Sequence, residues 1–233
     1  MKRVSRENVF SCLGQAHEFE IALAKYGITF KDIQDVIDGK KNISFSSAIA
    51  VDHSALLADW QAFYRDVFGI EIDFLNLTIP EKRAGFDRLL ILSQGMTLQR
   101  LYDKCGELFP SWKWTDENLD KIVTSDRTAK DGAYAIWIRD RVEADEELKN
   151  RSADNLKKQG ISGNTLEERF AYELKYFRET GKHLDINNVT LCTGSRDDDG
   201  DVPNVGWRGG GLDVRWDDSG DADDGLRSRQ VVS

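Results

Sequence analysis

Two short runs of alternating apolar and polar residues, separated by three glycines, place the strongest constraint on how this chain can fold. Val205 and Trp207 alternate with Gly206 and Arg208, and after Gly209 to Gly211 the apolar positions are Leu212, Val214 and Trp216. A period of two places alternate side chains on opposite faces of a strand. Glycine accepts the positive φ that tight hairpin loops need. The sequence therefore predicts a hairpin with one packed face and one face free for polar residues.

Helices and strands alternate in the pattern around this hairpin. Helices are predicted over 97–108 and 165–180, where Thr165 and Glu168 form a capping-box pattern. Strands are predicted over 88–93, 133–139 and 188–192, and a last short strand over Leu226, Val231 and Val232. This order is typical of a mixed α+β domain.

The first 80 residues are predicted to form a helical N-terminal extension. Apolar spacing indicates helices over 5–24, 29–38 and 48–68, and the last of these is the most aromatic in the chain. A DNA-reading helix-turn-helix is not favoured, because Asp35 and Asp38 lie where Arg, Asn or Gln would be needed. We expect a module that packs, docks a partner or supports an oligomer, joined through residues 69–83 to a main domain over 84–233.

Charge and hydropathy exclude several classes of partner. The formal net charge of −9 argues against sequence-independent binding of nucleic acid, which needs a basic surface. No run of residues approaches the roughly 18 apolar residues of a membrane-spanning helix, and no secretory signal is seen. The three cysteines form no CxxC pair. We predict a cytoplasmic protein with no membrane or nucleic-acid partner.

No residue constellation in the sequence predicts an enzyme. His17, His53 and His183 are far apart, and Cys105 and Cys192 lie among apolar residues. Phosphate-binding loops, dinucleotide fingerprints and nucleophile elbows are absent from the sequence. We expect no catalytic activity and no organic cofactor; an enzyme with an unrecognised cleft in residues 84–190 remains an alternative.

An aspartate run is the one metal candidate. Asp197, Asp199 and Asp201 alternate around Gly200, and hard oxygen ligands two residues apart beside a glycine turn are typical of calcium loops. An EF-hand register fails, because it would place Gly206 where the bidentate Glu belongs. An irregular calcium loop in a lectin-like module and a solvated acidic loop both remain open.

The C-terminal stretch from Thr193 also differs in composition from the rest of the chain. All 14 Glu lie at or before Glu179 and all 15 Lys at or before Lys182, whereas the last 51 residues carry 11 Asp and five Arg. Between His183 and Arg229 there is no Glu, Lys, Gln or Met. Such a bias indicates that something other than solubility selected these residues.

The ending resembles the variable proteins of diversity-generating retroelements. The resemblance lies in the Gly194-Ser195-Arg196 turn, the stretch from Trp207 to Gly210, the polar run after Asp217 and the closing LRSRQVV. It implies a C-type-lectin-like domain of the formylglycine-generating-enzyme kind, with a variable region over about 193–230 that error-prone reverse transcription rewrites at template adenines. Randomised AAC or AAT codons never give Glu, Lys, Gln, Met or Trp, which fits the composition. The cysteine pair of the catalytic relatives is missing, so no activity is carried over.

The resemblance implies a division of this region into frame and ligand-contacting positions. The frame would be Val205, Trp207, Leu212, Val214, Trp216 and Leu226. The exposed, diversified set would be Asp197, Asp198, Asn204, Gly206, Arg208, Arg215, Asp217, Asp218, Ser219, Asp221, Ala222, Asp223 and Asp224. Its acidic character favours a basic protein or other macromolecular ligand. The leading hypothesis is a ligand-binding protein with a hypervariable C-terminal surface.

Overall fold

The structure is a computed structural model that describes residues 29–41 and 52–233. The chain divides into two units, Met1–Asp52 and His53–Ser233. In the first unit, the helix predicted over 29–38 is present as α1 (Phe30–Ile37), and Thr29 and Asp32 cap each other at its start. The helix predicted over 5–24 lies outside the described residues.

The second unit is a mixed α+β structure, as predicted. In chain order it contains α2 (Ser54–Phe68), β1 (Arg88–Leu92), α3 (Leu98–Leu108), β2 (Ser111–Lys113), α4 (Leu119–Ile122), β3 (Val123–Ser125), β4 (Tyr134–Ile138), a 3-10 turn (Glu146–Leu148), α5 (Ala153–Lys158), α6 (Leu166–Thr180), β5 (Val189–Leu191), β6 (Ser195–Asp197), β7 (Val202–Arg208), β8 (Gly211–Asp217) and β9 (Leu226–Arg227). No helix in the described ranges is long and apolar enough to span a bilayer.

Helix α2 belongs to the second unit, which corrects the predicted boundary between residues 69 and 83. Trp60 Nε1 donates to the carbonyl of Leu89 at 3.2 Å, and the Tyr64 hydroxyl donates to that of Ile91 at 2.7 Å. Both carbonyls lie on β1, and both aromatic side chains are buried. The helix therefore packs on β1 and satisfies backbone acceptors that a neighbouring strand would otherwise use.

Strands β1 and β4 form an antiparallel pair, with Leu90 opposite Ile136. The C-terminal residues return to this pair, where Val232 bridges to Trp137. Helix α6 packs against β1 and α3, and its predicted capping box is confirmed: Glu168 N donates to Thr165 Oγ1, and Thr165 N donates to Glu168 Oε2.

The predicted hairpin lies at the centre of a five-stranded sheet with the order β2-β8-β7-β5-β9. Strands β7 and β8 are antiparallel, and Gly209 and Gly210 have φ values of 60° and 85°. Two consecutive positive φ values at a two-residue loop are typical of a type I′ turn, which matches the twist of the strands. The edge strand β2 runs parallel to β8, and β9 runs parallel to β5.

A buried charge network lies between α6 and this sheet. Asp185 accepts hydrogen bonds from Arg169 Nε at 2.9 Å, Arg229 Nη2 at 2.7 Å and Thr190 Oγ1 at 2.5 Å. Arg169 also bonds Glu173 at 2.7 Å. Because every member is buried, each charge depends on its partners for the interactions that water would otherwise supply.

Candidate functional site

As predicted, alternate residues of β7 and β8 lie on opposite faces of the hairpin, but the polar face is only partly free, because Asn204, Gly206 and Asp213 are buried. Val205, Leu212 and Val214 are buried in the main core, Trp207 is partly buried against it, and Trp216 is partly exposed. Trp216 packs edge-on against Trp114, with ring centroids 5.2 Å apart. The opposite face carries the polar positions and is the candidate binding surface.

A cavity of about 290 Å³ opens on this outer face, and we name it the Asn204 cavity. Five of the predicted ligand-contacting positions line it: Asn204, Arg208, Arg215, Asp217 and Asp223. The remaining walls are Ile186, Asn187, Asn188, Val189, Gly225 and Leu226. Residues from two strands of the hairpin and from the polar loop after it are thus brought together in one concave site.

Asn204 and Asp217 form the polar centre of this cavity. Asn204 Nδ2 donates to Asp217 Oδ2 at 2.6 Å, while Asn204 Oδ1 is buried without a partner among the described residues. Burial raises the pKa of the Asp217 carboxyl, the hydrogen bond from Asn204 lowers it, the charges of Asp221 and Asp223 raise it, and the charge of Arg208 lowers it. Carboxylates are therefore concentrated at this end of the cavity.

The hairpin end of the surface has the opposite character. Arg208 Nη1 and Arg215 Nε both donate to Asp213 Oδ2, at 3.2 and 2.8 Å. The Arg215 guanidinium also lies 5.8 Å from the ring of Trp112. These residues line a second cavity of about 420 Å³, the Trp112 cavity, together with the glycine turn. One carboxylate shared by two guanidiniums leaves an excess of positive charge here.

Gly206 is not exposed, contrary to the expectation for the variable set. It is buried in β7, and a Cβ at this position would lie 2.6 Å from Val189 Cγ1 and 3.2 Å from the Asn188 carbonyl. Asn204 was also expected to be exposed, yet only 3% of its surface is accessible. Both corrections have one cause, because β5 and the segment before it pack closely against β7 on this side.

The remaining predicted positions lie in loops beside the two cavities. Asp198, Asp221, Ala222 and Asp224 are exposed, and Ser219 is half-buried. Asp218 Oδ1 accepts from Gly220 N at 2.8 Å, which stabilises its own turn. These loop positions can therefore contact a ligand without belonging to either cavity.

The side chains of Asp197, Asp199 and Asp201 do not form a cluster of metal ligands. Asp197 Oδ1 instead accepts the backbone N–H groups of Asp199 and Asp201, at 3.0 and 2.9 Å. No group of three His, Cys, Asp or Glu side chains within residues 29–41 and 52–233 is placed to hold a metal ion. Burial and neighbouring carboxylates, Asp197 first among them, raise the pKa of Asp201. The run is therefore an acidic turn capped by its first member.

Cys105 and Cys192 are buried free thiols. Burial raises the pKa of both, that of Cys192 to about 12. A thiol held in its protonated form is a poor nucleophile. Cys12 and His17 lie outside the described residues.

Sequence reasoning missed three residues that shape this surface. Trp112 is half-exposed beside Arg215, and the side chains of Asn187 and Asn188 both donate to Glu143, at 3.0 Å. An edge strand carrying exposed tryptophan was a readable signal for Trp112. The two asparagines had no such signal, because their position depends on a carboxylate 44 residues away along the chain.

A third cavity, of about 420 Å³, lies away from the hairpin and is lined by Thr128, Lys130 and Glu167 among others. Glu167 Oε1 accepts from Thr128 Oγ1 at 3.2 Å, but in the described part of the chain Oε2 has no partner. Burial raises the pKa of Glu167 to about 7.

Comparisons with protein-family models, curated proteins and solved structures found no match to this chain. The candidate site therefore stands on the geometry of this chain alone.

Proposed function

We propose that this chain is a ligand-binding protein whose binding surface is the outer face of β7 and β8 with the loop that follows them. The observation that carries this proposal is the Asn204 cavity, because five positions assigned to ligand contact line one concave site. Binding sites are concave and contain convergent polar groups that fix the orientation of the ligand.

The surface combines features that favour a macromolecular ligand. Half-exposed Trp112 lies beside Arg215, and Trp and Arg are the side chains that most often dominate binding energy at protein interfaces. The surrounding loop is strongly acidic, which favours a partner with a basic surface. We propose binding to a protein or another macromolecule rather than catalysis.

We further propose that residues of this surface are diversified by a retroelement, within a C-type-lectin-like domain. The mixed α+β architecture supports this fold, and the Trp207 to Gly210 motif forms the end of β7 and its turn. The division of faces also supports it. Apolar side chains hold β7 and β8 from one side, so loop residues on the other side can change without loss of the core.

The DNA downstream of the gene provides the test. We expect an imperfect repeat of the region that encodes residues 193–230, differing mainly where the repeat has adenine, beside a reverse-transcriptase gene. Codons of frame residues such as Val205 and Val214 should be identical in the two copies. Absence of a repeat, or differences spread evenly over frame and surface codons, would overturn diversification.

Calcium binding requires a separate measurement, because the acidic turn at Asp197 is preorganised by its own backbone. Calorimetric titration with calcium chloride should show no heat of binding at millimolar concentration. A stoichiometric binding heat that Asp199→Asn abolishes would restore the lectin-like alternative.

A further inference from the structure

We propose that the Asn204 cavity binds the guanidinium group of an arginine side chain on the ligand, with Asn204, Asp217 and Asp223 as acceptors. This inference rests on the proposed function and specifies the chemistry that the surface recognises. The cavity volume of about 290 Å³ is at the lower limit for small-molecule sites, and it suits a single side chain.

The unpaired oxygen of Asn204 is the first argument. Asn204 Nδ2 lies 2.6 Å from Asp217 Oδ2, and this contact fixes the amide orientation, since a flipped amide would set two oxygens against each other. Oδ1 is consequently left as a buried acceptor with no donor in the described ranges. Buried acceptors without a donor are rare in folded proteins and call for an explanation.

The side chains with donors that line the same cavity make their hydrogen bonds to other residues. The side-chain amides of Asn187 and Asn188 both donate to Glu143. Arg215, which lies opposite Asn204 in the strand register, directs its Nε to Asp213. None of these side chains donates to Asn204 Oδ1, so a group that enters the cavity can supply the missing donor.

Charge is the second argument. Asp217 and Asp223 both line the cavity, and Asp221 is close enough to act on the titration of Asp217. Arg208 and Arg215 also line the cavity and each bonds Asp213, and the charge of Arg208 also acts on Asp217. A cation at the Asp217 end would relieve the repulsion among the carboxylates without displacing either arginine.

The lining also suits the aliphatic part of an arginine side chain. Ile186, Val189 and Leu226 form apolar walls beside the acceptors, and Ile186 is half-exposed at the surface. Long cationic side chains commonly bury their methylene groups against apolar surface while the head group makes hydrogen bonds. A planar guanidinium offers five donors and matches acceptors on several sides better than an ammonium group does.

The test uses the full chain and N-acetyl-arginine amide as the probe, followed by chemical-shift titration of the Asn204 side-chain amide. The matched probe is N-acetyl-citrulline amide, which has nearly the same shape without the charge. We expect saturable shifts with the arginine probe and at least about tenfold weaker binding of the citrulline probe, a difference of about 1.4 kcal/mol. The lysine analogue should bind more weakly than arginine.

Asp217→Asn keeps the shape of the cavity and removes its central charge, so it should weaken the arginine probe about tenfold. Asp131→Asn makes the same charge change in an exposed loop that lines neither cavity, and it should leave affinity within about twofold. Backbone amide spectra of both variants establish that they are folded. Equal loss in the two variants, equal binding of arginine and citrulline, or no shift at Asn204 would overturn the inference.

Failure of the arginine-binding inference can be distinguished from failure of the proposed function. A downstream repeat with no arginine binding would retain a diversified surface whose ligand has different chemistry. Arginine binding without a repeat would leave a cation site in a protein that is not diversified.

Discussion

Gly206→Ala should destabilise the protein, and the same substitution should cost less in a chain that already carries Val189→Ala. The new methyl group would lie 2.6 Å from Val189 Cγ1, a distance at which something must move. Val189 is 4% exposed, so its side chain has little room to turn toward solvent. Strands β5 and β7 are hydrogen-bonded next to this contact, through Thr190 and Val205, so the backbones cannot separate without loss of ladder bonds.

The magnitude follows from these contacts. Overpacking of a well-packed site costs about 1–3 kcal/mol. Val189→Ala alone removes two buried methyl groups at about 0.8 kcal/mol each, and a cavity term brings this to about 2 kcal/mol. Independent effects would sum to about 3–5 kcal/mol. In the double variant the clash with Cγ1 is gone and the new methyl fills part of the vacated space, so we expect a loss about 1–2 kcal/mol smaller than that sum.

Urea unfolding followed by tryptophan fluorescence measures all four free energies of unfolding. Gly132→Ala is the control, because no atom lies within 4 Å of a Cβ there and its φ is not positive. That variant should change the free energy of unfolding by less than about 0.5 kcal/mol. If Gly206→Ala were equally benign, or the two substitutions added within about 0.5 kcal/mol, Gly206 would return to the variable set and the frame argument would fail.

Three further predictions concern charge. Asp185→Asn should lower the free energy of unfolding in urea by about 3–5 kcal/mol, because it leaves two buried arginines without their shared carboxylate. Glu147→Gln breaks an exposed ion pair and should cost under about 1 kcal/mol. Similar costs for the two variants would refute the distinction between buried and exposed pairs. Burial raises the pKa of Glu167 from 4.5 to about 7, so its stabilising contribution is complete below pH 4.5 and is lost as the pH rises through about 7. Unfolding curves measured over this pH range should show a fall in the free energy of unfolding, and Glu167→Gln should flatten that fall. Asp223→Ser should lower the free energy of unfolding by about 0.5–1.5 kcal/mol, because Asp223 Oδ1 accepts two backbone N–H groups. Asp221→Ser, in the same exposed loop, should change it by less than about 0.5 kcal/mol. Equal melting temperatures of the two variants would contradict this prediction.

The sequence predicted the hairpin well because its information is local. Alternation identifies the core-facing side of β7 and β8, and the three glycines predict a tight turn, which the structure forms with Gly209 and Gly210. The capping pattern at Thr165 and Glu168 is equally local, and the structure confirms it. Each of these features depends on residues within about one turn or one strand.

The domain boundary was wrong because periodicity shows which face of a helix is buried but not what buries it. The aromatic stripe on α2 is equally compatible with the core of a separate extension. Its true partners are the carbonyls of Leu89 and Ile91, which lie 29 and 27 residues further along the chain.

The local sequence pattern also could not predict which residues are buried on the outer face of the sheet. A period of two places Asn204 and Gly206 with the polar positions, which predicts exposure. A small second core, formed by Ala153, Val189, Leu191, Val202 and Leu226, covers part of that same face. Only long-range pairing of β5 with β7 and β9 could have revealed it.

These differences in burial divide the proposed variable positions into two physical classes. Asn204 is enclosed by neighbouring strands and bonded to Asp217, so a larger side chain there would need compensating change in the cavity. Asp221 and Ala222 are exposed in the loop and meet no such limit. A library randomised equally at these three codons and selected for folding should therefore keep small or amide side chains at position 204 and accept nearly any residue at 221 and 222. Uniform tolerance would mean that the enclosure of Asn204 does not constrain the surface, and the arginine site built on it would lose its basis.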